Sequence, residues 1–178
     1  MQLRTRESFM ALVAGSTYLH EGRWSYMRAA ADMLQGHGGP CLEIGPCIAP
    51  LVLDATYIDQ RLEVNTKSRG IHWDLNNYPW PFEDSTFKTA VALQVIEHLD
   101  HPPTAIAETL RVAGRLVLSL PWHWQGGDMA HRRVQAVLWG SWVLAAGAVE
   151  VRRQIVLPNS PRPFLVAELI ERKIKVPT

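Results

Sequence analysis

Residues 89–122 read TAVALQVIEHLDHPPTAIAETLRVAGRLVLSLPW, and their pattern decides the fold class. TAVALQ (89–94) and RLVLSL (115–120) are apolar runs too continuous to alternate between core and solvent, which predicts strands buried on both faces. Between them, His101-Pro102-Pro103-Thr104 opens a helix, because proline is tolerated in a first turn, and Ala113-Gly114 closes it. Strand, helix and buried parallel strand make a βαβ unit, so the expected fold is a single α/β domain with a doubly wound sheet.

Working outward, CLEI (41–44), ATYI (55–58) and GIHW (70–73) are further short apolar runs bounded by Gly, Pro and Asp, and read as strands of the same sheet. Downstream, EVRRQIVL (150–157) and RPFLVAELIERK (162–173) flank Pro158-Asn159-Ser160-Pro161 and predict a closing antiparallel pair. VQAVLWGSWVLAAGAV (134–149) has only Gln135 and Ser141 as polar side chains. Its 16 residues fall short of the ~18 needed to span a bilayer, so a buried or interfacial helix is expected and no membrane span. Upstream, residues 1–36 read as a helical segment packed on a core formed by 37–178. FMALVAG (9–15) starts one helix, Ser25 caps a second, and Gly36 stops it.

Composition narrows the partners. The 178 residues fit about one domain, and 47% apolar with 20% charged residues is an ordinary globular balance, which excludes disorder and coiled coil. Eighteen basic against 17 acidic side chains give a net charge of +1, which provides no long-range attraction to a polyanion and disfavours nucleic acid as partner. Two cysteines, Cys41 and Cys47, are too few for a disulfide framework or a structural zinc site, and point to a reducing, cytoplasmic setting.

In an open α/β sheet ligands bind beyond the carboxyl ends of the strands. The residues there are Glu43-Ile44-Gly45-Pro46-Cys47, then Asp59, then Asp74-Leu75, then Gln94 followed by Val95-Ile96-Glu97-His98. This ordered set resembles the class I S-adenosylmethionine-dependent methyltransferases, in particular the small group with a strand, E-H-L, helix, G-R-L-V-L-S-x-P segment. The resemblance runs from about Cys41 to Pro121, and WDLNNYPWPFEDSTF (73–87) is similar to the D-L-x-x-L-P-F-x-D-x-S-F-D connection of that family.

The resemblance implies a Rossmann-like sheet, S-adenosylmethionine as cofactor and a small-molecule methyl acceptor. It implies a cofactor site made of Glu43, Gly45, Pro46, Cys47, Asp59, Asp74, Leu75 and Gln94. Chemically, Gly45 allows close backbone approach, Glu43 supplies negative charge near the cationic end of the ligand, and Asp59 can accept both ribose hydroxyls. Asp59 follows Gly45 by 14 residues, short of the ~20 usual in dinucleotide folds, so the crossover between the first two strands must be abbreviated; Glu63 is the alternative acid. By the resemblance, Asp74 would accept from the adenine amino group beside the Leu75 backbone, and Gln94 would lie by the methionine moiety. Cys47 and Lys88 depart from the family pattern. If position 47 needs a positive φ, its Cβ costs on the order of 1–2 kcal/mol.

Methyl transfer depends mainly on proximity and orientation, with a base required only when the acceptor must lose a proton. His123, flanked by Trp122 and Trp124, is the first candidate for that base, with Asp128 and His131 as its companions in a catalytic set. Trp122, Trp124, Trp139 and Trp142 are candidates for an acceptor wall. Glu97, His98, Asp100 and His101 are ligand types, but not in H-E-x-x-H order, and no metal is expected. A homodimer is compatible with the sequence. Two rival readings stay open: a noncatalytic binding or scaffold protein with a degenerate cofactor loop, and a membrane-peripheral protein using helix 134–149.

Overall fold

The structure, a computed structural model, describes residues 1–15, 20–62, 67–123 and 134–172. Its strands are β1 (Cys41–Ile44), β2 (Thr56–Asp59), β3 (Gly70–His72), β4 (Thr89–Leu93), β5 (Arg115–Pro121), β6 (Ala148–Val156) and β7 (Phe164–Glu171). They form one sheet in the order β3-β2-β1-β4-β5-β7-β6. The first five are mutually parallel, and β7 runs antiparallel to both β5 and β6. The strands read from the sequence are the strands found, displaced by a residue or two at their ends.

Alternation along the strands divides the core in two. Leu42, Ile44, Ile58, Leu116 and Leu118 face one side, where α3 (Pro102–Val112) and α4 (Ala136–Ala145) cover them. Cys41, Tyr57, Val91 and Val117 face the other, beneath α1 (Arg6–Val13) and α2 (His20–Leu34). Opposite-face packing of this kind is the doubly wound arrangement, and it leaves strand ends as the open part of the sheet.

Local chemistry sets the helix limits. Thr5 caps α1, its Oγ1 accepting from the Ser8 amide at 3.2 Å. Ser25 does not start α2, contrary to the expectation. Its hydroxyl donates to the Gly22 carbonyl at 2.6 Å, so it sits inside a helix that begins at His20. The apolar run expected to be helical to residue 149 ends at Ala145, because Gly147 turns the chain at φ +65° and Ala148 already belongs to β6.

Two carboxylates hold long connections in place. Glu108 of α3 accepts the Trp80 amide at 2.6 Å and pairs with Arg111, whose guanidinium also donates to the Phe82 carbonyl at 3.0 Å and to Asp84 at 2.7 Å. The 73–88 connection is thereby fastened to α3. Glu168, fully buried in β7, pairs with Arg115 and Arg152, and Arg152 reaches on to the Met33 carbonyl at 3.0 Å near the end of α2. β6 forms the outer edge, with a register irregularity between Glu150 and Arg152.

Candidate functional site

The strand order reverses direction at β1, whose neighbours are β2 and β4, so a crevice opens beyond the carboxyl ends of these strands. The loop Gly45-Pro46-Cys47 leaves β1 here. Gly45 has φ +61°, and a Cβ on it would lie 2.6 Å from Val95 Cγ2, so glycine is required by the packing of Val95 over the loop. Cys47 has φ +52°, the strained geometry foreseen for a cysteine at this position, and its side chain is exposed.

No helix joins β1 to β2; residues 45–55 are turns and a bridge between Val52 and Leu3. Glu43 explains how so short a crossover is held. It is buried, and its two oxygens accept the Leu51 amide at 2.7 Å and the Val52 amide at 2.8 Å. It thereby fastens the loop from beneath, a contact that sequence position alone did not indicate. Burial pushes its carboxyl up to about 7, against the pull of those two amides and of Arg4.

Asp59 is the last residue of β2, as expected for an acid at that strand end. Its Oδ2 accepts the Cys47 amide at 3.4 Å and its Oδ1 accepts the Arg61 amide at 2.9 Å, which aims the carboxylate at the β1 loop. Glu63, the alternative, lies outside the described residues. Asp74 follows β3, where its Oδ1 accepts the Asn76 amide at 3.0 Å and its carbonyl accepts the Asn77 amide at 2.9 Å; Leu75 beside it is buried. Gln94 follows β4 with φ +57°. Its amide donates to the Ser119 carbonyl at 3.0 Å and its Nε2 to the Ser119 hydroxyl at 3.1 Å, tying β4 to β5 at the rim.

The cleft between α2 and this loop is lined by Arg23, Tyr26, Glu43, Gly45, Pro46 and Leu93, among others. The N-terminal helix thus contributes a cation to the site. Nothing in the local pattern of α2 signals it, since the contact is made across the fold.

On the acceptor side, His123 follows β5 with φ +52°; its amide donates to the Val134 carbonyl at 3.0 Å and its ring stands edge-on to Trp122. Asp128, His131 and Trp124 lie outside the described residues. Trp139 and Trp142 are 1% and 5% exposed, packed in the core, and so do not line an acceptor wall as expected. Trp122 is half-buried, with the Arg153 guanidinium 5.8 Å from its ring centre. Glu97, one residue before His98, is fully buried, and neither of its oxygens has a hydrogen-bond partner among the described residues; burial pushes it up to about 8.

No family model matches the chain, and no curated protein matches it in sequence. Solved structures do. The 1,6-didemethyltoxoflavin N1-methyltransferase of Burkholderia thailandensis, solved with S-adenosylhomocysteine, superposes with a TM-score of 0.65 at 17% identity over 97% of this chain and 93% of its own. A S-adenosylmethionine-dependent methyltransferase of Thermotoga maritima, described as a possible histamine N-methyltransferase, gives 0.66 at 17% identity over 94% of each chain. The [4+2]-cyclase SpnF gives 0.63 at 15% identity over 82% of this chain and 79% of its own. With its seven-stranded sheet closed by two antiparallel strands and helices on both faces, the chain has the fold of the class I S-adenosylmethionine-dependent methyltransferases.

Proposed function

We propose that the chain binds S-adenosylmethionine and transfers its methyl group to a small-molecule acceptor. The observation that carries this reading is Asp59, placed at the end of β2 with its carboxylate aimed at the Gly45-Pro46-Cys47 loop, where a ribose diol would find its acceptor. The donor set suits the ligand, which has no phosphate and presents an amine, a carboxylate, a diol, an adenine and a sulfonium. Asp59 would hold the diol, Asp74 and the Leu75 backbone the adenine edge, and Pro46, Cys47 and Gln94 the wall beside the methionine end. When bound, the cofactor supplies an electrophilic methyl group.

The protein's own contribution is then orientation, with His123, Asp128 and His131 assigned to the acceptor and any proton it must lose. Both cysteines are free thiols, which fits a reducing compartment such as the cytoplasm. Isothermal titration with S-adenosylmethionine and S-adenosylhomocysteine tests the reading. Micromolar binding of both is expected, and absence of heat with either at millimolar concentration would overturn it. One observation favours a rival: the strained Cys47 in the loop suits a binding protein or another chemistry on this fold, and the likeness to a cyclase makes that rival concrete. Cofactor binding followed by methyl transfer to a panel of amines, phenols and carboxylates separates the two.

A further inference from the structure

α4 is apolar on every side, yet only one side is covered. Trp139 and Trp142 are buried in the core, while Val137 and Leu144 stand 86% and 63% exposed. A helix that is apolar all round is normally covered all round. Val137, Gly140, Ser141 and Leu144 are spaced i, i+3, i+4 and i+7, so they form one strip along the exposed face, with a knob at each end and two small residues between. Nothing among the described residues lies within 4 Å of a Cβ built on Gly140, and the Ser141 hydroxyl turns back to donate to the Leu138 carbonyl at 2.8 Å. The middle of the strip is therefore an open hollow. Glycine inside a helix weakens it relative to alanine, and no described neighbour requires one here. Its use is to let another helix come close, since the side chains at the contact set the distance between packed helices.

Charge decides what covers the strip. No Asp, Glu, Lys or Arg occurs between Arg133 and Glu150. The next described cations along the chain, Arg152 and Arg153, are paired with Glu168 and Glu150, so they are not free to draw this face to an anionic bilayer. A neutral strip meets no repulsion from a copy of itself. Shape agrees: about a twofold axis at Gly140-Ser141, Val137 of each copy meets Leu144 of the other, and the two hollows face each other.

We infer that α4 is a self-association surface, pairing antiparallel with α4 of a second copy of the chain across a twofold axis at Gly140-Ser141. Two helices of about 15 Å cover less than the ~1,200–2,000 Å² of a tight complex, so the dimer is reversible. Sedimentation velocity on wild type, from micromolar to near-millimolar protein, should show a monomer–dimer equilibrium. Val137→Lys and Leu144→Glu change exposed positions where no core packing is lost, and each should weaken the dimer at least tenfold. Mixed in equal amounts, the two variants should associate at least tenfold more tightly than either alone, because the introduced lysine of one copy faces the introduced glutamate of the other. Gly140→Ala should raise the melting temperature of the dilute monomer and weaken association. Wild type that stays monomeric throughout, or single variants that associate as well as wild type, would overturn the inference. A mixture no tighter than the single variants removes the antiparallel pairing, and undiminished association of Gly140→Ala removes the close approach. Monomeric wild type that co-sediments with phosphatidylcholine vesicles, with that binding lost in Val137→Lys, makes the strip a lipid-facing surface and equally overturns the assignment.

Discussion

Asp59 Oδ2 and the Cys47 amide meet at 3.4 Å, so the acid at the end of β2 and the loop leaving β1 form one unit. A substitution at either residue acts on both, and the first two predictions concern this joint.

Asp59→Ala removes the acceptor proposed for the ribose and the anchor of the loop together. S-adenosylhomocysteine binding should weaken by about 1.5–3 kcal/mol, the cost of a lost bond to a charged group. Asp59→Asn, which keeps an oxygen for the Cys47 amide, should lie between the two. Titration calorimetry checks the order.

Cys47→Gly should raise thermal stability, because glycine takes φ +52° without the Cβ conflict. The strain relieved, about 1–2 kcal/mol, exceeds the ~0.5–1 kcal/mol that glycine costs through a freer unfolded chain. A melting temperature lower than wild type would show that the thiol packs favourably where it stands.

Gly45→Ala should destabilise by about 2–4 kcal/mol, since the new methyl would sit 2.6 Å from Val95 Cγ2 at a backbone angle that disfavours any side chain. Combined with Val95→Ala, the loss should be smaller than the sum of the two single changes, because the shared clash is gone. Chemical denaturation of the four proteins measures the coupling.

Glu97 and Glu43 predict a falling stability with rising pH. Their folded carboxyls stand at about 8 and about 7 against an ordinary 4.5. From about pH 4.5 upward the unfolded chain releases these protons while the folded chain keeps them, so stability drops by at most about 1.4 kcal/mol per pH unit for each group. The contribution of Glu43 levels off near pH 7 and that of Glu97 near pH 8. Glu97→Gln should remove the upper part of the slope and be more stable than wild type at pH 8.5. Denaturant midpoints between pH 5 and 9 provide the readout, and parallel curves for the two proteins would contradict the assignment.

The parallel part of the sheet was legible because burial on both faces leaves an unmistakable trace: CLEI, TAVAL and RLVLSL carry Glu43 and Ser119 as their only interior polar residues. Asp59 was legible too, as an acid directly after an apolar run. The hydrogen bonds of Glu43 were not, because its partners Leu51 and Val52 become neighbours only once the crossover curls back beneath β1. That Arg23 lies beside this loop was hidden on a longer scale, because the cleft is assembled from α2, β1 and β4. The start of α2 was misplaced because a serine that caps and a serine that bonds back to its own helix look alike in sequence, and only the Gly22 carbonyl distinguishes them.

The irregularity between Glu150 and Arg152 has a consequence for how far the sheet can grow. An outer strand of nine residues with Val149 and Val151 exposed is an invitation to pairing by a neighbouring molecule. The extra residue breaks the spacing of free backbone groups, and Arg152 and Arg153 place charge along the same edge. A foreign strand could therefore match only a few residues before losing alignment. The molecule ends its own sheet at β6, which guards it against ribbon-like self-association when crowded.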